Sequence, residues 1–290
     1  MNRVNAGEGR TVSELRLRVL SAILLGMIVL TITWIGGYTF SLLWSVIALA
    51  ILFEYVRICG DAVPYSIRIL GLMFLSLVVL AYHLNAPVSA EGLLGIAIVA
   101  IGAMELVIKK SVWGGAGLAY SGIPFIAMSD LRVDDLAGFV LILILFGCVW
   151  GADILAYFAG RGIGGPKLAP KISPNKTWSG FIGGVFGALA LATTVAWVAG
   201  YYPNASFFAI ILILAVVSQI GDLMESMLKR TFDVKDSGSL IPGHGGVLDR
   251  IDGLIIAGAL LWLVLIFMQA GNLSGASLGQ VFENTFLTNP

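Results

Sequence analysis

Apolar residues gather into nine runs, each near the roughly 20 residues that a helix needs to cross a bilayer. The runs fall at about 17–36, 39–58, 66–84, 92–108, 114–129, 136–159, 178–199, 206–228 and 252–271. Short polar connections separate them. The fifth run is the weakest: it is short and carries Pro124, which predicts a tilted, re-entrant or broken element. The pattern predicts an all-α polytopic integral membrane protein with about nine transmembrane helices. Residues 1–14 are polar and read as a disordered tail, and 272–290 as a mildly polar tail. The first apolar run follows a charged N-terminus but is long and lacks a small-residue cleavage site, so it reads as a span rather than a signal peptide.

Composition supports the same class. The chain is 58% hydrophobic and 12% charged, against roughly 45–50% and 25% in soluble domains. Formal net charge is zero, which gives no field for nucleic acid. Cys59 and Cys148 lie far apart without metal-type spacing and read as small buried apolar residues.

The placement of Lys and Arg tests the count of nine. If the connections alternate sides, sixteen of the seventeen basic residues share the side of the N-terminus, and only Arg132 lies opposite. Cytoplasmic loops carry the excess of Lys and Arg, so the N-terminus is predicted inside and the C-terminus outside. Dropping a central span would spoil the segregation. The loops 160–177 and 229–251 then share the cytoplasmic side.

Carboxylates within apolar runs are costly unless paired. Glu54 is followed by Arg57 and Glu105 by Lys109, spacings that suit local helical ion pairs. Asp222, Ser226 and Lys229 recur at i, i+4 and i+7 on one helix face, with Glu225 beside them. Two carboxylates on that face call for a cation, either a metal ion or Lys229 and Arg230. Asp249 and Asp252 open the ninth run, where helix capping is the ordinary reading of each.

The stretch 226–252 carries the densest chemistry: Ser226, Lys229, Arg230, Lys235, Asp236, Pro242, His244, Gly245, Gly246, Asp249, Arg250 and Asp252. Carboxylates suit a hard cation, basic side chains suit phosphate oxygens, and glycines let backbone approach closely. This spacing resembles the signature of the phosphatidate cytidylyltransferases, or CDP-diacylglycerol synthases. Their pattern is Ser-x-hydrophobic-Lys-Arg, four residues, Lys-Asp, then Pro-x-His-Gly-Gly-x-x-Asp-Arg-hydrophobic-Asp, and it is met here without departure. The resemblance covers under a tenth of the chain. It implies a nucleotidyltransferase of phospholipid biosynthesis in the inner (plasma) membrane, which transfers the cytidylyl group of CTP to phosphatidate.

On that reading residues 15–135 hold the N-terminal helices and 136–271 the catalytic region. Asp222, Asp249, Lys229, Arg230, His244 and Asp252 are the catalytic candidates. Asp222 and Asp249 lead as ligands of Mg²⁺, supported by Asp153 and Glu225, and the number of carboxylates leaves room for a second cation. Ser226, Lys235, Asp236, Gly245, Gly246 and Arg250 are candidates for substrate binding. So are Ser173, Asn175, Lys176 and Thr177 of the 160–177 loop, whose glycines, lysines and hydroxyls suit phosphate oxygens. A basic interfacial loop facing anionic lipid is the plainer reading of that segment. The resemblance further implies a homodimer.

Two other readings stay open. One is another CTP-dependent lipid enzyme, of the CDP-archaeol synthase or polyprenol kinase type. The other is an ion-coupled transporter, which intramembrane carboxylates and glycine-rich helices would also suit. No Walker-type glycine-lysine run occurs, and no Asp-Gly-x-x-Ala-Arg run.

Overall fold

A computed structural model describes residues 21–133, 135–241, 245–271 and 275–288. Helices α1 (Ser21–Ile35), α2 (Gly37–Cys59), α3 (Tyr65–His83), α4 (Ala90–Lys109), α5 (Trp113–Leu131) and α6 (Leu136–Gly162) follow one another with short connections. A two-stranded antiparallel hairpin, β1 (Lys167–Ala169) and β2 (Ser173–Thr177), leads into α7 (Trp178–Val198). Then come β3 (Tyr202–Pro203), α8 (Ala205–Thr231), α9 (Leu248–Gly271), α10 (Leu278–Phe286) and β4 (Leu287–Thr288). Among the described residues seven helices are long and apolar enough to cross a membrane, which makes this a polytopic, all-α membrane protein.

Each predicted span has a helix, but the ends move. Helix α6 runs to Gly162, α8 to Thr231, and α9 begins at Leu248. Lys229 and Arg230 therefore sit on the last turn of α8, and Asp249 and Arg250 on the first turn of α9, rather than in the loop. Charged residues extend these helices past the apolar runs because a helix end at the interface can be polar on every side.

The weak fifth run is one continuous helix with Pro124 inside it. Its modest hydropathy has a packing cause. Helix α5 is buried along most of its length among α2, α3, α4 and α9, so it needs small residues for close approach rather than leucines for lipid. A side chain at Gly115 would press on the backbone of α4, and one at Gly117 on the Tyr55 ring. By contrast, α1 turns most of its side chains outward.

The α1–α2 break at Gly36 (φ 73°) is held by Arg132. Its guanidinium, 5% exposed, donates to the Thr33 (2.7 Å), Trp34 (3.2 Å) and Val133 (2.6 Å) carbonyls. Thr33 and Trp34 lie in the last turn of α1, where a helix end leaves carbonyls without intrahelical partners.

The most extensive helix pair is α6 with α7. Gly151 and Gly187 face one another there so closely that a Cβ on either would collide with the other's carbonyl. Small residues at such contacts let helix backbones meet where lipid provides no hydrophobic drive.

Within the segment 272–290, expected to be a tail, the described residues 275–288 contribute to the fold. Ser277 and Gln280 form a reciprocal capping box for α10. Leu278, Val281, Phe282 and Phe286 bury its apolar face, and β4 pairs with β3. At the same end Asn204 caps α8 by accepting from Phe207 N at 3.1 Å.

Packing at the α6–α7 contact predicts a graded series. Gly187→Ala should lower stability by about 1–3 kcal/mol through overpacking, and Gly187→Leu should abolish folded protein. Gly95→Ala, in open space on α4, should change nothing. Melting temperature and monodispersity in detergent read all three.

Candidate active site

The end of the bundle opposite α10 gathers the C-terminal turns of α6 and α8, the hairpin and the first turns of α7 and α9. A cavity of ≈ 710 Å³ opens there. Asp153, Tyr157 and Arg161 line it from α6, Lys167, Asn175, Lys176 and Thr177 from the hairpin, and Gln219 and Asp222 from α8. Thr177 ends β2 and starts α7. Its buried hydroxyl accepts from Gly180 N at 3.1 Å and so caps the helix. Gly180 in turn has no room for a side chain, because a Cβ would stand 3.0 Å from the Ala156 carbonyl of α6. The cap and the glycine bring the hairpin against α6.

Two charge clusters follow one another along α8. In the first, Lys176 of β2 forms an ion pair with Asp222. Asp153 and Asp252 share its field, so three carboxylates face one lysine. In the second, Lys229 Nζ lies 2.7 Å from Glu225 and 2.8 Å from Asp249. The other oxygen of Asp249 accepts from Ser237 N (3.2 Å) and Gly246 N (3.1 Å). Glu225 is 2% exposed, and its Oε1 has no hydrogen-bond partner. The Tyr120 hydroxyl of α5 is likewise buried without one. Its electrostatic neighbours include Asp252, Glu225 and Asp222, so it belongs to the same acidic seam.

The hairpin touches the signature helix α8. Besides the Lys176–Asp222 pair, Arg230 Nε donates to the Ile172 carbonyl of the hairpin at 3.4 Å. Of the four candidates there, Lys176 reaches α8 directly, Asn175 and Thr177 line the cavity, and Ser173 is half-buried on β2. Ser226 is half-buried on α8, and Lys235, Asp236 and Arg250 are exposed. Gly245 takes φ 86°, a conformation that favours glycine. The Gly246 amide points inward to Asp249. His244 lies outside the described residues. Among the described residues no three His, Cys, Asp or Glu side chains converge as a metal cluster. The carboxylates stand instead as groups bridged by lysine.

Both local ion pairs expected for Glu54 and Glu105 give way to longer reaches. Glu105, fully buried, accepts from Gly114 N (2.6 Å) and Ser111 Oγ (3.1 Å), so it caps α5 rather than pairing with Lys109. Glu54, 1% exposed, accepts from Leu248 N (2.8 Å) and Val247 N (3.1 Å) at the start of α9 rather than pairing with Arg57. Buried amides without intrahelical partners outcompete a lysine or arginine that can reach water. Sequence reading missed Glu54, Tyr120 and Gln219. A carboxylate inside an apolar run was the one available signal for Glu54.

Residues 16–268 match the profile of the Cytidylyltransferase family. A Phosphatidate cytidylyltransferase of Brucella abortus is 44% identical over 255 residues, covering 87% of this chain and 93% of its own. One of Bacillus subtilis is 33% identical over 265 residues, covering 87% and 98%. One of Rickettsia bellii is 44% identical over 155 residues, covering 51% and 67%.

Lys229 is the counter-charge of the second cluster. Lys229→Met leaves Glu225 and Asp249 facing one another and should destabilise the protein by about 3 kcal/mol. Adding Glu225→Gln should restore part of the loss, read as melting temperature in detergent.

Proposed function

The chain belongs to the cytidylyltransferase family, and on that premise we propose that it transfers the cytidylyl group of CTP to phosphatidate. The products are CDP-diacylglycerol and pyrophosphate. The observation that carries this reading is the joining of cavity and signature on one helix face. Asp222 of α8 lines the cavity, while Lys229, two turns on, holds both Glu225 and Asp249.

A phosphate oxygen of phosphatidate attacks the α-phosphorus of CTP. The new P–O bond forms as the bond to the β-phosphate breaks, and pyrophosphate leaves with the electron pair. The nucleophile is already ionised at neutral pH, so the protein has mainly to position two polyanions and offset their repulsion. Lys176 and Lys229 already sit among carboxylates and can turn to incoming phosphates. Arg161, Lys167 and Arg230 add positive charge around the cavity and on the signature helix. Thr177 and Asn175 offer neutral hydrogen bonds, and His244 a donor near the leaving group.

The residues fit Mg²⁺, which takes one or two carboxylates together with substrate phosphates. Asp222 and Asp249 would hold it, with Asp153, Asp252 and Glu225 completing the negative field. The fit draws support from the unpartnered Glu225 oxygen and from the ammonium already seated between Glu225 and Asp249. When bound, Mg²⁺ supplies charge neutralisation at the phosphates.

We place nine spans in the cell's inner membrane, with the N-terminus and the site on the cytoplasmic side and the C-terminus outside. The segregation of basic residues supports this topology. CTP then enters from water, and phosphatidate enters sideways beside the exposed Phe158 and Trp178.

Purified protein with phosphatidate, Mg²⁺ and CTP labelled on the α-phosphate should yield labelled CDP-lipid. Asp249→Ala should lower the rate by at least about 100-fold. Label appearing in no lipid from folded wild-type protein would overturn the reading, and full transfer by Asp249→Ala would remove Asp249 from the site. Topology has its own check, because the native cysteines are buried. Lys235→Cys should react with an impermeant maleimide only in inverted vesicles, and Asn85→Cys only in spheroplasts.

A further inference from the structure

Glu54 lies on α2, far in sequence from the signature, yet the signature loop is tied to it. The Leu248 amide that it accepts opens α9 and the Val247 amide immediately precedes it, a position where a negative charge also suits the helix dipole. Ser237 Oγ adds a bond at 3.4 Å from the other side of the loop. The loop closes around the carboxylate so tightly that a side chain at either of two glycines would press on it. A Cβ at Gly238 would stand 2.6 Å from Glu54 Oε1, and one at Gly246 2.7 Å from both oxygens.

The same segments that bind Glu54 also bind Asp249. Ser237 gives its hydroxyl to Glu54 and its amide to Asp249. Gly246, pressed against Glu54, gives its amide to Asp249. Asp249 follows Leu248 directly, so its backbone is placed by the Leu248–Glu54 bond. Capping of a helix start is ordinarily local, from a residue just before the first turn. Here a distant helix does it, and the N-terminal half of the bundle thereby sets the position of a residue in the C-terminal half.

We propose that Glu54 is a positioning residue for cytidylyl transfer. It fixes the first turn of α9 and so the place at which Asp249 meets Glu225 and Lys229. Glu54 itself touches neither substrate. The inference rests on the function proposed above, and its test separates the two.

Four variants are compared with wild type in detergent: Glu54→Gln, Glu54→Asp, Asp249→Ala and Glu105→Gln. Each is measured for kcat, for KM of both substrates, for melting temperature and for hydrogen–deuterium exchange over residues 245–250. Glu105 is the control, because it is an equally buried carboxylate that caps a different helix. Glu54→Gln should lower kcat by about 10- to 100-fold with KM for CTP nearly unchanged, and should speed exchange over 245–250. Glu54→Asp, which keeps the charge on a shorter stem, should recover part of kcat. Glu105→Gln should melt lower but keep kcat per folded molecule. If Glu54→Gln does not fold, Ser237→Ala carries the test, with a kcat reduced about threefold and faster local exchange. Wild-type kcat in Glu54→Gln, or a kcat loss in Glu105→Gln equal to that in Glu54→Gln, overturns the role. Activity that survives Asp249→Ala instead overturns the placement of the loop in the site.

Discussion

Two carboxylates, Glu54 and Asp249, govern the architecture by accepting the backbone amides of a folded-in loop. A loop near lipid has no bulk water to satisfy its N–H groups, and each one left unpaired costs several kcal/mol. Glu54 takes Val247 and Leu248, and Asp249 takes Ser237 and Gly246. With those four amides satisfied, the loop can pack between α2, α8 and α9 and keep Ser237 buried. The glycines of the loop serve the same end. Gly246 and Gly238 leave space for a carboxylate that any side chain would displace.

The acidic seam along α8 is balanced in an instructive way. Lys176 and Lys229 each contact carboxylate in the structure. Such lysines keep the site from flying apart when no polyanion is present, and the same ammonium groups have two possible classes of partner. Exchange of one for the other gives little net change in paired charge, so on the function proposed above substrate phosphates would be drawn in without first creating a naked cation or a naked anion at membrane depth.

Much of this was legible in the sequence, and the exceptions share a cause. Apolar runs located α1 to α9 because lipid imposes length and composition. The signature residues announced themselves because charge is rare in this chain. Glu54 and Glu105 were read as local pairs because helical spacing is all that a one-dimensional pattern offers, whereas their partners are set by packing, 194 residues away for Leu248. Helix α5 looked weak because hydropathy measures exposure to lipid, and this helix faces protein. Helix α10 carried a capping box at Ser277 and Gln280 and an apolar stripe, and both signals were present but short. The hairpin at 167–177 is held by its docking on α8 and α6, which no local pattern encodes.

The glycine contact between α6 and α7 has a mechanical meaning. Where Gly151 and Gly187 meet, no layer of side chains lies between the two backbones, and side chains are what helices shift when they slide past one another. The pair therefore behaves as a stiff plate forming one wall of the cavity. The hairpin belongs to this wall through Thr177, which starts α7, and it reaches α8 through a lysine–aspartate contact and an arginine–carbonyl bond. The enzyme thus has one closely packed wall, and the polar contact that closes the cavity against α8 is made by Lys176.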